Sequence, residues 1–434
     1  MVVLPITGAS NLIIARLITD AGSSELFGVV MLIVTLGELL IFADLGAGGA
    51  VASARAQVQD TPDAVEEYQR TMLTAFRTTL CSAGLITGAA IVLWGTGAWP
   101  DLLGVHDGRL GAGLNIAAAL TLFLFAAGLP FTLGGHILRG AGRMHQAVLI
   151  AGVAAPTALA ATGVLYLLGA PTLAYVLPIP FGAFVSAVCG TVQMRRTDWA
   201  IVRGIVGKIL LVREFPGRPI AATAAPWFIV MIGLPIALQS DRVIISHRND
   251  LASLSDYSYL AQLYAPLWSV ISLAALALWP NFAAHNTTRH DIRKCWLTGL
   301  VILGSAGVVG ALCFVVLSPY IVGWTSGGSA HPSWSLLMAF AALLVVQSVH
   351  VTTGIMLISP SQLRFQAVCV ILLVLVNLPL SWFLAPKLGA AGPVLASVIT
   401  VTVIQLIPAV VMAIRVTSDK PDDRFVLSKE VTHG

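Results

Sequence analysis

Charge is what this sequence has least of. Only 10% of its 434 residues are Asp, Glu, Lys or Arg, and 57% are hydrophobic. A soluble domain carries about 25% charged residues. No soluble core could hide this much apolar surface, so lipid is the expected solvent for most of the chain. The net charge of +4 is therefore read by location, and no nucleic acid is expected as a partner. Cysteine is sparse too. Cys81, Cys189, Cys295, Cys313 and Cys369 are scattered in or beside apolar runs, with no CxxC spacing and an odd count, so they read as small buried hydrophobes. No GxxxxGK[ST] phosphate loop is present, which excludes ATP hydrolysis by the chain itself. His136, His247, His285 and His350 share no ligand spacing. No loop is long enough to build a catalytic domain, so neither an enzyme, nor a metal, nor a cofactor is expected. No basic leader with a small-residue cleavage site precedes the first apolar run, which argues against a cleaved signal peptide. That run is short and lacks a basic flank, so a start upstream of Met1 stays open.

What is abundant is apolar sequence in lengths of about 20 residues, enough to cross a bilayer as helix. Twelve spans are expected, at 2–19, 25–51, 72–98, 111–136, 145–169, 172–194, 220–246, 257–282, 295–318, 335–357, 365–385 and 391–415. With the N-terminus inside, 18 of the 24 Lys and Arg fall on inner loops and the tail. Arg109, Arg242, Arg248 and Lys387 fall outside, and Arg16 and Arg77 lie within spans. The bias places both termini in the cytoplasm. The expected domains are a six-helix bundle over 1–194, a basic cytoplasmic linker over 195–219, a second six-helix bundle over 220–415 and a tail over 416–434. The linker serves either as an orientation signal or as a contact for anionic head groups.

The two halves repeat. A shift of 230 residues lays Leu4-Pro5-Ile6 on Leu234-Pro235-Ile236, Ser10 on Ser240, Asn11 on Asp241, Asp20 on Asp250 and Ser23 on Ser253, without a gap. A shift of 220 lays Gln146-Ala147-Val148 on Gln366-Ala367-Val368. Six spans preserve direction, so the repeat is parallel, with a pseudo-two-fold along the membrane normal, as in several transporter folds. Pro5 and Pro235 mark the first span of each half, and Pro156 and Pro379 fall near the middle of each fifth span. They are either hinges or the ordinary prolines of membrane helices.

Charges inside lipid cost a few kcal/mol each, so those present are the candidates for function. Glu38 reads as the deepest acid, serving as a helix–helix hydrogen bond or as a proton or cation site. Asp44 lies nearer the cytoplasmic end. Arg16 either snorkels or holds phosphate through its planar fork. Asp241 and Arg242 are adjacent, hence about 100° apart on a helix, and do not simply neutralise each other. Arg77 is read as snorkelling. Arg55 and Arg139 sit where helices two and four meet the cytosol, as orientation signals or as a mouth for an anionic head group.

The stretch LIIARLITDAGSSELFGVVMLIVTLGELLIFADLGAGGAVASAR (Leu12 to Arg55) resembles the opening of the polysaccharide flippases of the MOP superfamily, the Wzx-like exporters. The shared features are Arg16, Phe27-Gly28 and Asp44-Leu45-Gly46. The second half opens similarly, with Asp241-Arg242, then Tyr257 and the LAQLY run, then Trp279-Pro280. Ile14-Ala15-Arg16 and Ile41-Phe42-Ala43-Asp44 also resemble the lipid II flippase of that superfamily. That branch has fourteen spans and a further arginine where this chain has Leu39 and Leu40, which argues against lipid II as substrate. The resemblance implies two six-helix bundles, alternating access, and export of a polyprenyl-diphosphate-linked glycan across the bacterial cytoplasmic membrane. Arg16, Arg55, Arg139 and Arg242 would bind the diphosphate. Glu38, Asp44 or Asp241 would couple the movement to an ion gradient. Membrane lipids and a glycan polymerase or glycosyltransferases are the implied partners. Two other readings stay open: a multidrug or organic-cation antiporter of the same superfamily, and a non-transporting scaffold for glycan assembly.

Overall fold

The computed structural model describes residues 3–58, 62–106, 111–209, 211–217, 232–278, 282, 289–357 and 359–418. Residues 220–231 at the start of the expected seventh span, His285, Trp279-Pro280 and the tail from 419 onward lie outside them. The described residues are helical, with no strand among them. They fall into two compact units. Unit 1 holds Met1–Phe228 with Thr325–Gly327, and unit 2 holds Ile229–Trp324 with Gly328–Gly434.

Unit 1 contains α1 (Val3–Ala21), α2 (Ser24–Leu39), α3 (Ala47–Gln57), α4 (Pro62–Thr96), α5 (Trp99–Leu103), α6 (Gly111–Gly140), α7 (Met144–Ala151), α8 (Ala154–Leu167) and α9 (Pro178–Val206). In α2 every residue from Leu26 to Thr35 is buried. It is apolar all round and forms the inner helix of the unit. Ser23 caps it by accepting from the Leu26 N–H at 3.1 Å, worth about 1 kcal/mol. Helix α9 runs on to Val206. Residues 195–206 therefore belong to this last helix and not to the expected linker at 195–219. The segment beyond it is tied down by Arg77, which donates to the carbonyls of Ile209, Phe215 and Lys208 at 2.8, 2.9 and 3.0 Å. Arg77 is thus an anchor and not the snorkelling residue expected.

Unit 2 contains α10 (232–239), α11 (Asp241–Arg248), α12 (Leu251–Leu276), α13 (Arg289–Thr325), α14 (Trp334–Met356), α15 (Pro360–Leu388), α16 (Ala391–Thr400), a π-helical stretch at Val401–Leu406, and α17 (Ile407–Ser418). The repeat shows in its capping. Asp250 accepts from the Ser253 N–H at 2.8 Å and opens α12. The Ser253 hydroxyl and amide hold the Asp250 carboxyl below the usual range. In unit 1 the cap is Ser23, the counterpart of Ser253, so the second helix of unit 2 begins about one turn earlier.

Ten helices among the described residues are long and apolar enough to cross a membrane. The protein is a multi-pass membrane protein. Large apolar side chains such as Leu85, Val301 and Leu312 stay exposed on these helices, as lipid contact requires. Two expected spans are not among the ten. Helix α1 carries Pro5, Asn11, Arg16 and Asp20 in its 19 residues. The seventh span is interrupted at Ser240, between α10 and α11.

Helices α6 and α9 approach closely through Gly134. A Cβ there would lie 2.5 Å from the Thr191 nitrogen and 2.7 Å from the Gly190 carbonyl carbon. Backbone cannot swing aside as a side chain can, so the helices must separate. Gly134→Ala should lower stability by about 1–3 kcal/mol. Gly163→Ala, where a Cβ meets nothing within 4 Å, should be neutral or slightly stabilising. Thermal unfolding in detergent of the two variants checks the contrast.

Of the expected hinge prolines, Pro156 lies in the first turn of α8, just after the break at Gly152–Val153. Its missing N–H and its ring disfavour continuing α7 through this point. Pro379, its counterpart, lies inside the unbroken α15. Pro5 is in the first turn of α1 and Pro235 is in α10. The matched fifth helices therefore answer their prolines differently.

Candidate functional site

The strongest concentration of costly groups is in unit 2, at the start of α11. Asp241 is 2% exposed and Arg242 6%. Two ionisable groups held this far from water need partners on neighbouring helices. Tyr257 of α12 supplies both. Its hydroxyl donates to Asp241 Oδ2 at 3.3 Å, and its ring lies under the guanidinium, with Arg242 Cζ 5.7 Å from the centroid. Tyr257 is fixed in turn by Phe340 of α14, centroids 5.3 Å apart, and Phe340 also packs on Tyr264 and Phe314. Tyr257, held by this aromatic wall, thus meets the carboxylate through its hydroxyl and the guanidinium through its ring. Among the described residues, Asp241 Oδ1, Ser240 Oγ and Ser258 Oγ are buried without a hydrogen-bond partner. Three oxygens left open in one region of a membrane bundle provide acceptors for a proton or a small cation. The sequence counted Arg242 among outer-side charges; the structure buries it inside the unit.

A second polar group escaped the sequence reading. Asn377 of α15 donates to Ser397 Oγ at 3.0 Å and Thr400 Oγ1 at 2.9 Å of α16, and accepts from Ser381 at 3.1 Å. All four residues are at most 1% exposed. The signal was available in Asn377 and Ser381, one turn apart within an apolar run. Helix α11 packs against both α15 and α16, so this network flanks the helix of Asp241. It ends where the π stretch begins.

Unit 1 disperses its expected site residues. Arg16 is engaged one turn along its own helix by Asp20, at 2.9 and 3.1 Å, each side chain about a third exposed. It lies beside the start of α2, whereas Arg55 lies beyond its far end. The 16 residues of α2 alone separate the two by roughly 24 Å. Arg55 makes a two-pronged ion pair with Asp198 of α9, Nε to Oδ2 at 2.6 Å and Nη2 to Oδ1 at 3.0 Å. That hydrogen bond holds the Arg55 guanidinium more firmly protonated than usual. Asp198 is 3% exposed and sits amid Arg195, Arg196 and Arg203, where the surrounding basic run hid it. Arg139 is exposed in the last turn of α6, next to Gly140, which packs on α3 near Arg55. The structure therefore gathers Arg55 and Arg139 at one end of unit 1 and sets Arg16 at the other.

The acids divide as clearly. Glu38 is exposed one residue short of the end of α2, not in mid-helix as the sequence suggested. Asp44 accepts from the N–H groups of Gly46 and Gly48 at 3.0 and 3.1 Å, fastening a turn in which Leu45 and Gly46 are both left-handed, at φ 49° and 77°. Its oxygens are occupied by backbone. Of the three acids read as coupling candidates, Asp241 alone combines burial with an open oxygen among the described residues. Among those residues, no three His, Cys, Asp or Glu are grouped as a metal site would need.

No protein-family model and no curated protein matches the sequence. Solved structures do match along its whole length. An inward-facing multidrug resistance MATE family transporter of the MOP superfamily aligns with a TM-score of 0.70 at 15% identity, covering 96% of both chains. The fold is that of the MOP superfamily transporters. The lipid II flippase MurJ, in an inward closed conformation, aligns with a TM-score of 0.61 at 13% identity, over 97% of this chain and 87% of that one. A MOP superfamily transporter from Pyrococcus furiosus, whose binding pocket is described as reversed in polarity, aligns with a TM-score of 0.60 at 16% identity, over 96% and 93%. This MOP-type fold is the all-helical membrane architecture expected from the sequence.

Proposed function

We propose that the chain moves a lipid-diphosphate-linked oligosaccharide from the cytoplasmic to the outer leaflet of the bacterial cytoplasmic membrane, by alternating access, with Asp241 coupling the movement to an ion gradient. The observation that carries this reading is the buried Asp241–Arg242 step, oriented by Tyr257, within a MOP-type fold shared by a lipid II flippase. A diphosphate crossing hydrocarbon needs fixed cationic partners and a wet interior, while its lipid tail stays in the bilayer. Arg242 is a guanidinium kept deep in a membrane bundle at substantial cost, and a substrate anion gives that placement a purpose. Arg16 and Arg139, at opposite ends of unit 1, remain proposed contacts for the anion at different stages of its passage, whereas Arg55 is committed to Asp198. The cytoplasmic placement of both termini, and association with a polymerase or glycosyltransferases, belong to this reading.

The multidrug reading is favoured by the MATE-type neighbour, and one experiment separates the two. On depletion of the protein, a sugar-lipid should accumulate in the cytoplasmic leaflet, and reconstituted vesicles should transfer that lipid between leaflets. Unchanged lipid distribution together with organic-cation efflux from such vesicles would instead establish the antiporter. Accumulation without leaflet transfer by the purified protein would establish a scaffold.

A further inference from the structure

One surface feature of unit 2 is absorbed by neither the transport reading nor the positive-inside pattern. The end of α11 carries His247 and Arg248, both exposed, and the end of α15 carries Lys387. Asn249 joins the two ends by donating to the Ala385 carbonyl at 3.0 Å. Each cation lies against an aromatic ring of α15. Arg248 Cζ is 4.9 Å from the centroid of Trp382, Lys387 Nζ is 3.7 Å from that of Phe383, and the His247 ring is 6.2 Å from Trp382. The rings are themselves open, Trp382 at 44% and Phe383 at 57% exposure. They continue the exposed row Leu372, Leu375 and Val376 of the same helix, at the three- and four-residue spacing of a single helix face. That row is apolar and so faces acyl chains; the cations mark where it ends. Among the described residues, neither Arg248 nor Lys387 makes an ion pair. The neighbouring Asp250 is occupied in capping α12.

The internal repeat shows that this is no general property of a helix end. Shifting by 230 places Ile18 where Arg248 stands, and shifting by 220 places Thr162, Gly163 and Leu167 where Trp382, Phe383 and Lys387 stand. Unit 1 has no counterpart of either cation or ring at these positions.

We propose that this corner of unit 2 is a docking site for the phosphate of an anionic phospholipid, on the lipid-facing surface at head-group level. Arg248 and Lys387 would meet the phosphate, and Trp382 and Phe383 would meet the glycerol and upper acyl region. Amphipathic rings and basic side chains at the membrane interface do this by general chemistry. The occupant is a lipid and not a soluble anion, because the rings that hold the cations lie in the acyl-facing row.

Purified full-length protein in detergent, titrated with phosphatidylglycerol or phosphatidylcholine and read by native mass spectrometry, tests the site. The wild type should retain phosphatidylglycerol in preference to phosphatidylcholine. Arg248→Gln with Lys387→Gln should bind it about 25-fold more weakly, two surface cations each contributing about fivefold, while phosphatidylcholine binding stays unchanged. Equal phosphatidylglycerol retention by the double variant would overturn the proposal. So would displacement of the lipid by inorganic phosphate alone, which would identify a soluble-anion site. If the double variant fails to fold, wild type in vesicles of equimolar phosphatidylcholine and phosphatidylglycerol supplies the readout. Its thermal midpoint should exceed that in pure phosphatidylcholine, and the difference should shrink with added salt. A salt-independent difference would overturn the proposal.

Discussion

Asp198→Ala should destabilise unit 1 by about 3–5 kcal/mol, the cost of leaving one member of a buried ion pair unmatched. The expectation follows from position and not from charge count. Asp198 is 3% exposed and receives both prongs of Arg55. The pair sits beside a core of Val51, Tyr68, Met72, Ile137 and Val202 drawn from four helices. Removal of the carboxylate strands the guanidinium against that core. Because the Arg55 side chain is itself 24% exposed, water can reach it after some rearrangement, which puts the loss toward the lower end of the range. Replacing both residues together, Arg55→Met with Asp198→Leu, should recover most of the stability, since an apolar pair avoids the desolvation penalty altogether. Thermal unfolding of the single and double variants in one detergent measures both. A single variant as stable as wild type would show that the pair contributes nothing.

Asp241→Asn should leave the fold in place and abolish gradient-dependent transport. The amide keeps the size of the carboxyl and its contact with the Tyr257 hydroxyl, so the aromatic wall has no reason to move. What disappears is the site that can take up and release a proton or cation. Glu38→Gln and Asp44→Asn should behave differently. The first alters an exposed side chain at a helix end, and the second weakens a backbone cap, a stability effect of about 1 kcal/mol. Vesicles containing each variant, loaded with the labelled lipid-linked glycan and given an imposed ion gradient, distinguish these outcomes. Wild-type transport by Asp241→Asn with the gradient on would remove Asp241 from coupling. A collapsed thermal midpoint would recast it as a structural residue.

Much of this was legible in the sequence, for a physical reason. Lipid demands long apolar helices, so ten membrane helices announce themselves in composition, and the matched Asp20–Ser23 and Asp250–Ser253 steps announce the repeat. The same reasoning marked Asp241–Arg242 as costly and therefore purposeful. It failed where meaning depends on a partner distant in the chain. Arg55 and Asp198 are 143 residues apart, and nothing in either local pattern joins them. Asp198 was concealed further by its basic neighbours, which made the end of α9 look like a linker. Arg77 was misread for the same reason, since its acceptors are carbonyls more than 130 residues away. Asp44 needed only local geometry, and the Asp-Leu-Gly step that resembles a flippase motif is also what a capped left-handed turn requires.

The π stretch at Val401–Leu406 has a consequence for the outer face of unit 2. Ile399, Val403, Ile407 and Val411 are all exposed, although successive members are four residues apart. In a regular α-helix, each such step overshoots the previous side chain by about 40°. By Val411 the row would have turned a third of the way around the helix, toward the protein interior. A wider turn takes up the excess and keeps these residues against lipid. It also keeps Ala409 and Ala413, both buried, facing the core. The stretch thus makes room for about one extra residue: with one fewer between Val401 and Leu406, a regular α-helix would keep Val411 against lipid and Ala409 and Ala413 in the core.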